Sequence, residues 1–327
     1  MNRVKAVQRG SIVARQSFGV LNCMIGLVVI ALITACCSGV HLSGNCKAHH
    51  VDSGDRLLQK YRQSSFPCAG FRHDVYYRSP SVIGDAPAVL VLHELPGLTH
   101  ECLELADRFV DAGFAVYLPL FFGKPEPEFA GNWTNLRNTI FITLSNEWMP
   151  NRTSVSQPIT RWLRGLIEQK IAVEHPNHKI GVAGMCLTGA LPVALLSERS
   201  VGAAVVCQPS LPLNACTHAA RSNLGIADAE LEAAVHNSDA PIYGLRFEKD
   251  TISKAERFLT LKKRFGNRFI NRQIKWPSEY EVGATRIPIH AHATLTQCFT
   301  DSNNKPYPQL RQRRDEVVAF LHRFLDK

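Results

Sequence analysis

Cys186 sits in the stretch KIGVAGMCLTG, residues 179–189, where an apolar β-type run ends at a Gly, a Cys and a second Gly. A thiol attacks a carbonyl far better as thiolate, which a helix N-terminus and a neighbouring imidazole both stabilise. The chain supplies the partners for such chemistry further on. GLRFEKD ends in Asp250, and RIPIHAHATLT carries His290 and His292. A carboxylate behind an imidazole fixes its tautomer and supports the imidazolium. Each residue also has a plainer use. Cys is among the most buried residue types, Asp250 stands where a helix beginning near Ser253 needs a cap, and Glu248 is a second acid in the same segment. Glu94, after the run VLVLH, is either a surface turn residue or a partner of the adjacent His93.

The elements that must position these residues alternate between strand and helix. HDVYYRS alternates like an edge strand, whereas PAVLVLHE, FAVYLPLFF, KIGVAGM and VGAAVVCQPS are the continuous apolar runs of strands buried on both faces. CLELADRFVDAG, ITRWLRGLIEQKIAV, LTGALPVALLSER, SKAERFLTLKKRFG and PQLRQRRDEVVAFLHRFL have helical spacing, the first closed by Gly113. APIYGLRF and RFINRQIKW read as later strands. Residues 123 to 156 read as a loop-like insertion near a site. Alternation over this length predicts one α/β domain, 71–327, with a doubly wound, mostly parallel sheet. In such sheets ligands bind beyond the carboxyl ends of the strands, where Cys186, Asp250 and the histidines fall.

The order nucleophile, acid, histidine is that of the α/β-hydrolase fold, whose nucleophile elbow needs small flanking residues. The chain resembles the dienelactone hydrolase family, α/β-hydrolases with Cys at the elbow. GMCLTGALPVAL is similar to the family's elbow, with Thr188 where a Gly usually stands, and VLVLHELPGL to its strand and Glu-containing turn. The resemblance covers about residues 70 to 327 and implies a triad of Cys186, Asp250 and His292, the last favoured over His290 by AHATLT. It places Glu94 against the resting thiol and implies a hydrolase of a carboxylic ester or lactone. The amides of Leu187 and Leu95 could bind the oxyanion. Family members acting on dienelactones hold the substrate carboxylate with arginines, one just past the triad histidine. Here ATLTQ has none, which leaves Arg152 and Arg246 as candidates.

Composition bounds the remaining possibilities. With 327 residues, 45% of them hydrophobic, the chain can bury a sizeable core. Of its charge of +9, four positive charges (Arg3, Lys5, Arg9, Arg15) precede residue 36, where no acid occurs. The other 33 basic and 28 acidic residues leave a mild excess, without a basic cluster interleaved with aromatics, so a nucleic-acid partner is not expected. The apolar run FGVLNCMIGLVVIALITACC reads as a targeting segment, and ITAC resembles a lipobox ending at Cys36, the lipidation site. The alternative is an uncleaved signal anchor. Either reading makes residues 1–36 a signal, 37–70 a tether and lead-in, and the protein an exported one held at a membrane of the cell envelope. Ten cysteines suit an exported chain, and Cys46 with Cys68 is the suggested bridge. Their spacings are not those of a zinc site, and GxGxxG is absent, so neither a metal nor an organic cofactor is expected. The alternative to an enzyme is an envelope lipoprotein that retains the fold as a binding scaffold.

Overall fold

A computed structural model describes residues 57–125, 132–275, 281–282, 285–286, 292–296 and 307–326. Residues 1–36, read above as a targeting segment ending at Cys36, lie outside the described residues, as do Cys46 and His290. Eight strands form one sheet in the order β1-β2-β4-β3-β5-β6-β7-β8. They are β1 (Arg62–Cys68), β2 (Phe71–Arg78), β3 (Ala88–Leu92), β4 (Ala115–Leu120), β5 (Ile180–Met185), β6 (Val201–Cys207), β7 (Ile242–Phe247) and β8 (Phe269–Ile274). The first three strands in that order pair antiparallel, and every pairing from β4 to β8 is parallel. The expected doubly wound, mostly parallel sheet is therefore present.

The apolar runs explain the centre. Every residue of β3, β5 and β7 is buried, because helices cover both faces of a parallel sheet. One face packs Leu90, Leu92, Val182 and Val206 with Trp162, Leu163 and Leu166 of α3 (Pro158–Leu166); a π turn at Ile167–Ile171 extends this helix. On the opposite face Val89, Val91, Ala183 and Ala203 meet α1 (His100–Asp111) and the C-terminal helix. That last helix, α8 (Pro308–Leu325), lies so close that a Cβ on Gly181 would meet Leu321 at 2.8 Å. The helices between are α2 (Asn132–Leu144), α4 (Leu191–Ala194), α5 (His218–Ser222), α6 (Asp228–His236) and α7 (Ala255–Phe265).

The structure corrects several expectations. The edge strand is β1, not HDVYYRS: residues 62–68, assigned to the lead-in for their polarity, pair with β2 from Arg62↔Tyr77 to Cys68↔Phe71. An edge strand open to solvent needs no apolar face, and β1 is exposed at four of its seven positions in succession. Residues 132–144 of the insertion form helix α2 instead of loop. The helix expected after Cys186 is broken into a 3-10 turn at Cys186–Thr188, the four residues of α4 and a second 3-10 turn at Leu195–Ser197. The five cysteines described (68, 102, 186, 207 and 216) carry free thiols, and Cys46, the suggested partner of Cys68, lies outside the described residues. Among the described residues no helix is long and apolar enough to cross a membrane.

Candidate active site

Strand β5 delivers Cys186 into a bend that only small neighbours allow. A Cβ on Gly184 would approach Thr188 O to 2.4 Å, and one on Gly189 would approach Cys207 O to 2.5 Å. Cys186 itself has φ +53°, a left-handed conformation that costs a non-glycine residue on the order of 1–3 kcal/mol and is characteristic of functional sites. Surrounding bonds hold it there. Ser210 N donates to Cys186 O at 2.9 Å, and the thiol contacts Ser210 Oγ at 3.4 Å. Thr188 stands where the resembled family has Gly, and its buried hydroxyl accepts from Met185 N at 3.0 Å and lies 2.9 Å from Leu92 O. The side chain thereby ties the bend to the end of β3.

Asp250 follows β7 and is buried. Its Oδ1 accepts from the amides of Ile252 (2.8 Å) and Ser253 (2.9 Å), and its Oδ2 meets His292 Nδ1 at 2.8 Å. The capping use and the triad use are thus compatible, one oxygen each. Burial lowers the affinity of His292 for a proton, but the Asp250 charge and the Cys186 sulfur outweigh it and hold the imidazole pKa well above its ordinary value. Glu248 contributes its backbone carbonyl, which accepts from Arg246.

Glu94 closes the group. Its carboxylate, Cys186 Sγ and a ring nitrogen of His292 lie within 4.8 Å of one another, the one convergence of three cation-ligand residue types among the described residues. Burial raises the Glu94 pKa, against the pull of His292 and of the two donors Thr296 (Oγ1 to Oε1, 2.6 Å) and Gln208 (Nε2 to Oε2, 3.3 Å). His93 pairs with Glu94 through the backbone, not the carboxylate. With its pKa lowered by burial to about 4 it is neutral, so Nδ1–H donates to Glu94 O at 3.0 Å and Nε2 accepts from Phe121 N at 3.0 Å. Gly97 N adds a second donor to that carbonyl at 2.8 Å. Two bonds to one carbonyl fix the Glu94–Leu95 peptide plane, and the Leu95 N–H must point the opposite way. Outside helices and strands neither the Leu95 nor the Leu187 amide donates to a described backbone group.

Of the two candidate arginines, Arg246 is committed to backbone carbonyls. Arg246 is buried and donates to the carbonyls of Ser253 (3.1 Å), Asp250 (3.0 Å) and Glu248 (3.4 Å), so it shapes the loop carrying the acid. Arg152 is exposed. Sequence reasoning passed over Arg257, which is fully buried on α7 and donates to the carbonyls of Pro209 (2.7 Å), Pro212 (2.8 Å) and Asn223 (3.1 Å). Burial lowers its pKa to about 10, still above neutrality. Gln208 was missed too, because nothing in VVCQPS distinguishes it from the tail of a strand.

A thiol on a strained bend and an imidazole backed by a buried carboxylate form an arrangement suited to acyl transfer. The sequence signature of the dienelactone hydrolase family matches residues 74–281. Among solved structures, a dienelactone hydrolase-like promiscuous phosphotriesterase from metagenomic libraries aligns with TM-score 0.52 at 14% identity, over 81% of this chain and 98% of that one. An esterase of Pyrococcus furiosus aligns at 0.49 and 14% identity, over 81% and 91% of the two chains. An acylaminoacyl peptidase of Pyrococcus horikoshii aligns at 0.48 and 15% identity, over 82% of this chain and 42% of that one. A sequence search of curated proteins gives no match. At 14% identity the likeness to the phosphotriesterase speaks for the fold alone, and the match over residues 74–281 carries the assignment: the chain belongs to the dienelactone hydrolase family.

Proposed function

We propose that the protein hydrolyses a carboxylic ester or lactone through a thioester on Cys186. The observation that carries this reading is the Asp250 Oδ2 to His292 Nδ1 bond of 2.8 Å, with Cys186 Sγ and a ring nitrogen of His292 in one group spanning no more than 4.8 Å. The thiolate attacks the carbonyl carbon, and the amides of Leu95 and Leu187 receive the oxyanion. Collapse of the tetrahedral intermediate expels the alkoxide, which takes a proton from the His292 imidazolium. Neutral His292 then takes a proton from water, whose oxygen attacks the thioester. The acid leaves, and the thiolate and imidazolium are restored. Glu94 faces the resting thiol. No step calls on a metal or organic cofactor.

A neutral acyl group fits better than a dienelactone carboxylate. Arg246 is occupied by carbonyls, Arg152 is exposed, and no arginine follows His292 in ATLTQ. The basic and apolar residues 1–36, ending at Cys36, favour an exported protein tethered to a membrane by lipid or anchor. Its partner in catalysis is then a small-molecule ester or lactone met outside the cytoplasm. A neutral p-nitrophenyl ester tests the reading: the purified protein is expected to release a burst of about one nitrophenolate per active site and then turn over slowly. An absence of both burst and turnover favours a scaffold that keeps the fold without the chemistry.

A further inference from the structure

Gln208 combines features that packing alone does not call for. It is fully buried at the end of β6 and has φ +32°, a left-handed conformation for a residue that bears a side chain. The backbone turn has two consequences. It ends the ladder to β7 with Gln208 N donating to Leu245 O at 2.7 Å, and it returns the chain so that Ser210 reaches the carbonyl of Cys186.

The amide side chain is bonded at both its oxygen and its nitrogen, and its orientation is fixed by its partners. Oε1 accepts from Thr294 N at 3.2 Å and from the Thr294 hydroxyl, so Nε2 is the atom that donates to Glu94 Oε2 at 3.3 Å. Thr294 is two residues beyond His292, and Thr296, two further on, donates to Glu94 Oε1. Glu94, Gln208, Thr294 and Thr296 therefore form a closed ring that joins the end of β3 and the end of β6 to the histidine loop. Asp250 grips the imidazole from one side. The ring holds the backbone that carries it from the other.

We infer that Gln208 is a positioning residue, which acts through Thr294 to set the His292 loop over Cys186 and through Nε2 to hold the Glu94 carboxylate in place. This role presupposes the thioester chemistry proposed for Cys186. The groups facing the Glu94 and Gln208 pair are His292 on its loop, Cys186 at the bend, Glu101 and Cys102 on α1, and Cys207 on β6. Burial pushes the Cys102 and Cys207 thiols up, so they stay neutral, and Glu101 adds negative charge. A second carboxylate at position 208 would face Glu94 at close range and require a shared proton.

Two variants and two measurements test this. Gln208→Leu removes all three side-chain bonds, while Gln208→Glu keeps an acceptor for Thr294 and places an acid against Glu94. For Gln208→Leu, kcat on the nitrophenyl ester is expected to fall about 10- to 100-fold at every pH with KM within about twofold, the pattern of lost geometry at the reacting groups. Gln208→Glu is expected to match the native enzyme near pH 5.5 and to lose about tenfold in kcat by about pH 8 as the shared proton is given up. Hydrogen exchange of the Thr294 amide is read independently of catalysis and should quicken at least about tenfold in Gln208→Leu but not in Gln208→Glu at low pH. Unchanged kcat and pH profile in both variants, or unchanged Thr294 exchange in Gln208→Leu, overturns the inference. If the native protein has no esterase activity while Thr294 exchange responds as stated, the thioester reading fails and the structural role of Gln208 stands.

Discussion

Replacing Cys186 by Ala is expected to reduce ester hydrolysis about 10⁴- to 10⁶-fold, the range found when the nucleophile of a triad is deleted. The remaining groups cannot substitute. Ser210 Oγ is near the thiol at 3.4 Å, but its amide is already committed to the Cys186 carbonyl and its hydroxyl has no base of its own among the contacts described. Stability should change far less than activity, because the thiol is only partly buried, although its contacts with Ser210 and the His292 imidazole are lost. The strained φ of +53° remains in the Ala variant, so a comparison of the two reports on the sulfur and not on the bend. Steady-state hydrolysis and urea denaturation check both halves; loss of activity with loss of folding would not support the role.

Asp250→Asn is the second large effect, about 10⁴ in kcat by analogy with the same change in serine triads. Its logic lies in the two oxygens. Asn Oδ1 can still accept from the amides of Ile252 and Ser253, so the loop keeps its shape. The amide nitrogen then faces His292 Nδ1 as a donor, which forces the proton onto the other ring nitrogen, away from the geometry needed to take one there. Stability should respond to pH in a definite direction. His292 has a folded pKa raised by Asp250 and Cys186 against burial, so its contribution is fully present below the unfolded value of about 6.5 and is lost as pH rises through the folded pKa. The stability gap between the native protein and Asp250→Asn should accordingly be widest near about pH 5 to 6 and narrow as the solution is made alkaline. Denaturant titrations at several pH values measure it.

The candidate triad was legible because its residues stand where an α/β sheet exposes its chemistry, just past the carboxyl ends of β5 and β7 and on a later loop. The Gly-bounded bend marked Cys186, since a bend that close to Thr188 and Cys207 excludes larger neighbours. The interior strands were equally plain, as burial on both faces leaves nothing but apolar residues to read. Elsewhere the pattern was silent for physical reasons. Strand β1 is a solvent-exposed edge whose composition, RQSSFPC, reads as a polar tether. Helix α2 hides Asn138 and exposes Phe141 and Leu144, the reverse of what a helical stripe leads one to expect. Arg246 read as a substrate-binding candidate and Arg257 drew no notice, yet loop carbonyls gave each a buried set of acceptors. Thr188, where the elbow pattern leads one to expect Gly, ties the bend to β3 through its hydroxyl. Gln208 depends on a backbone angle, and no residue type announces one.

Everything proposed for the site depends on a covalent bond between Cys186 and the acyl group. Its most direct test is intact-mass and peptide mass spectrometry of the protein quenched in acid within the burst of an activated acyl ester. One acyl group per chain is expected, on the peptide bearing Cys186, removed by hydroxylamine and absent from Cys186→Ala. Turnover without an adduct, or an adduct on another residue that Cys186→Ala leaves in place, would contradict the thioester mechanism.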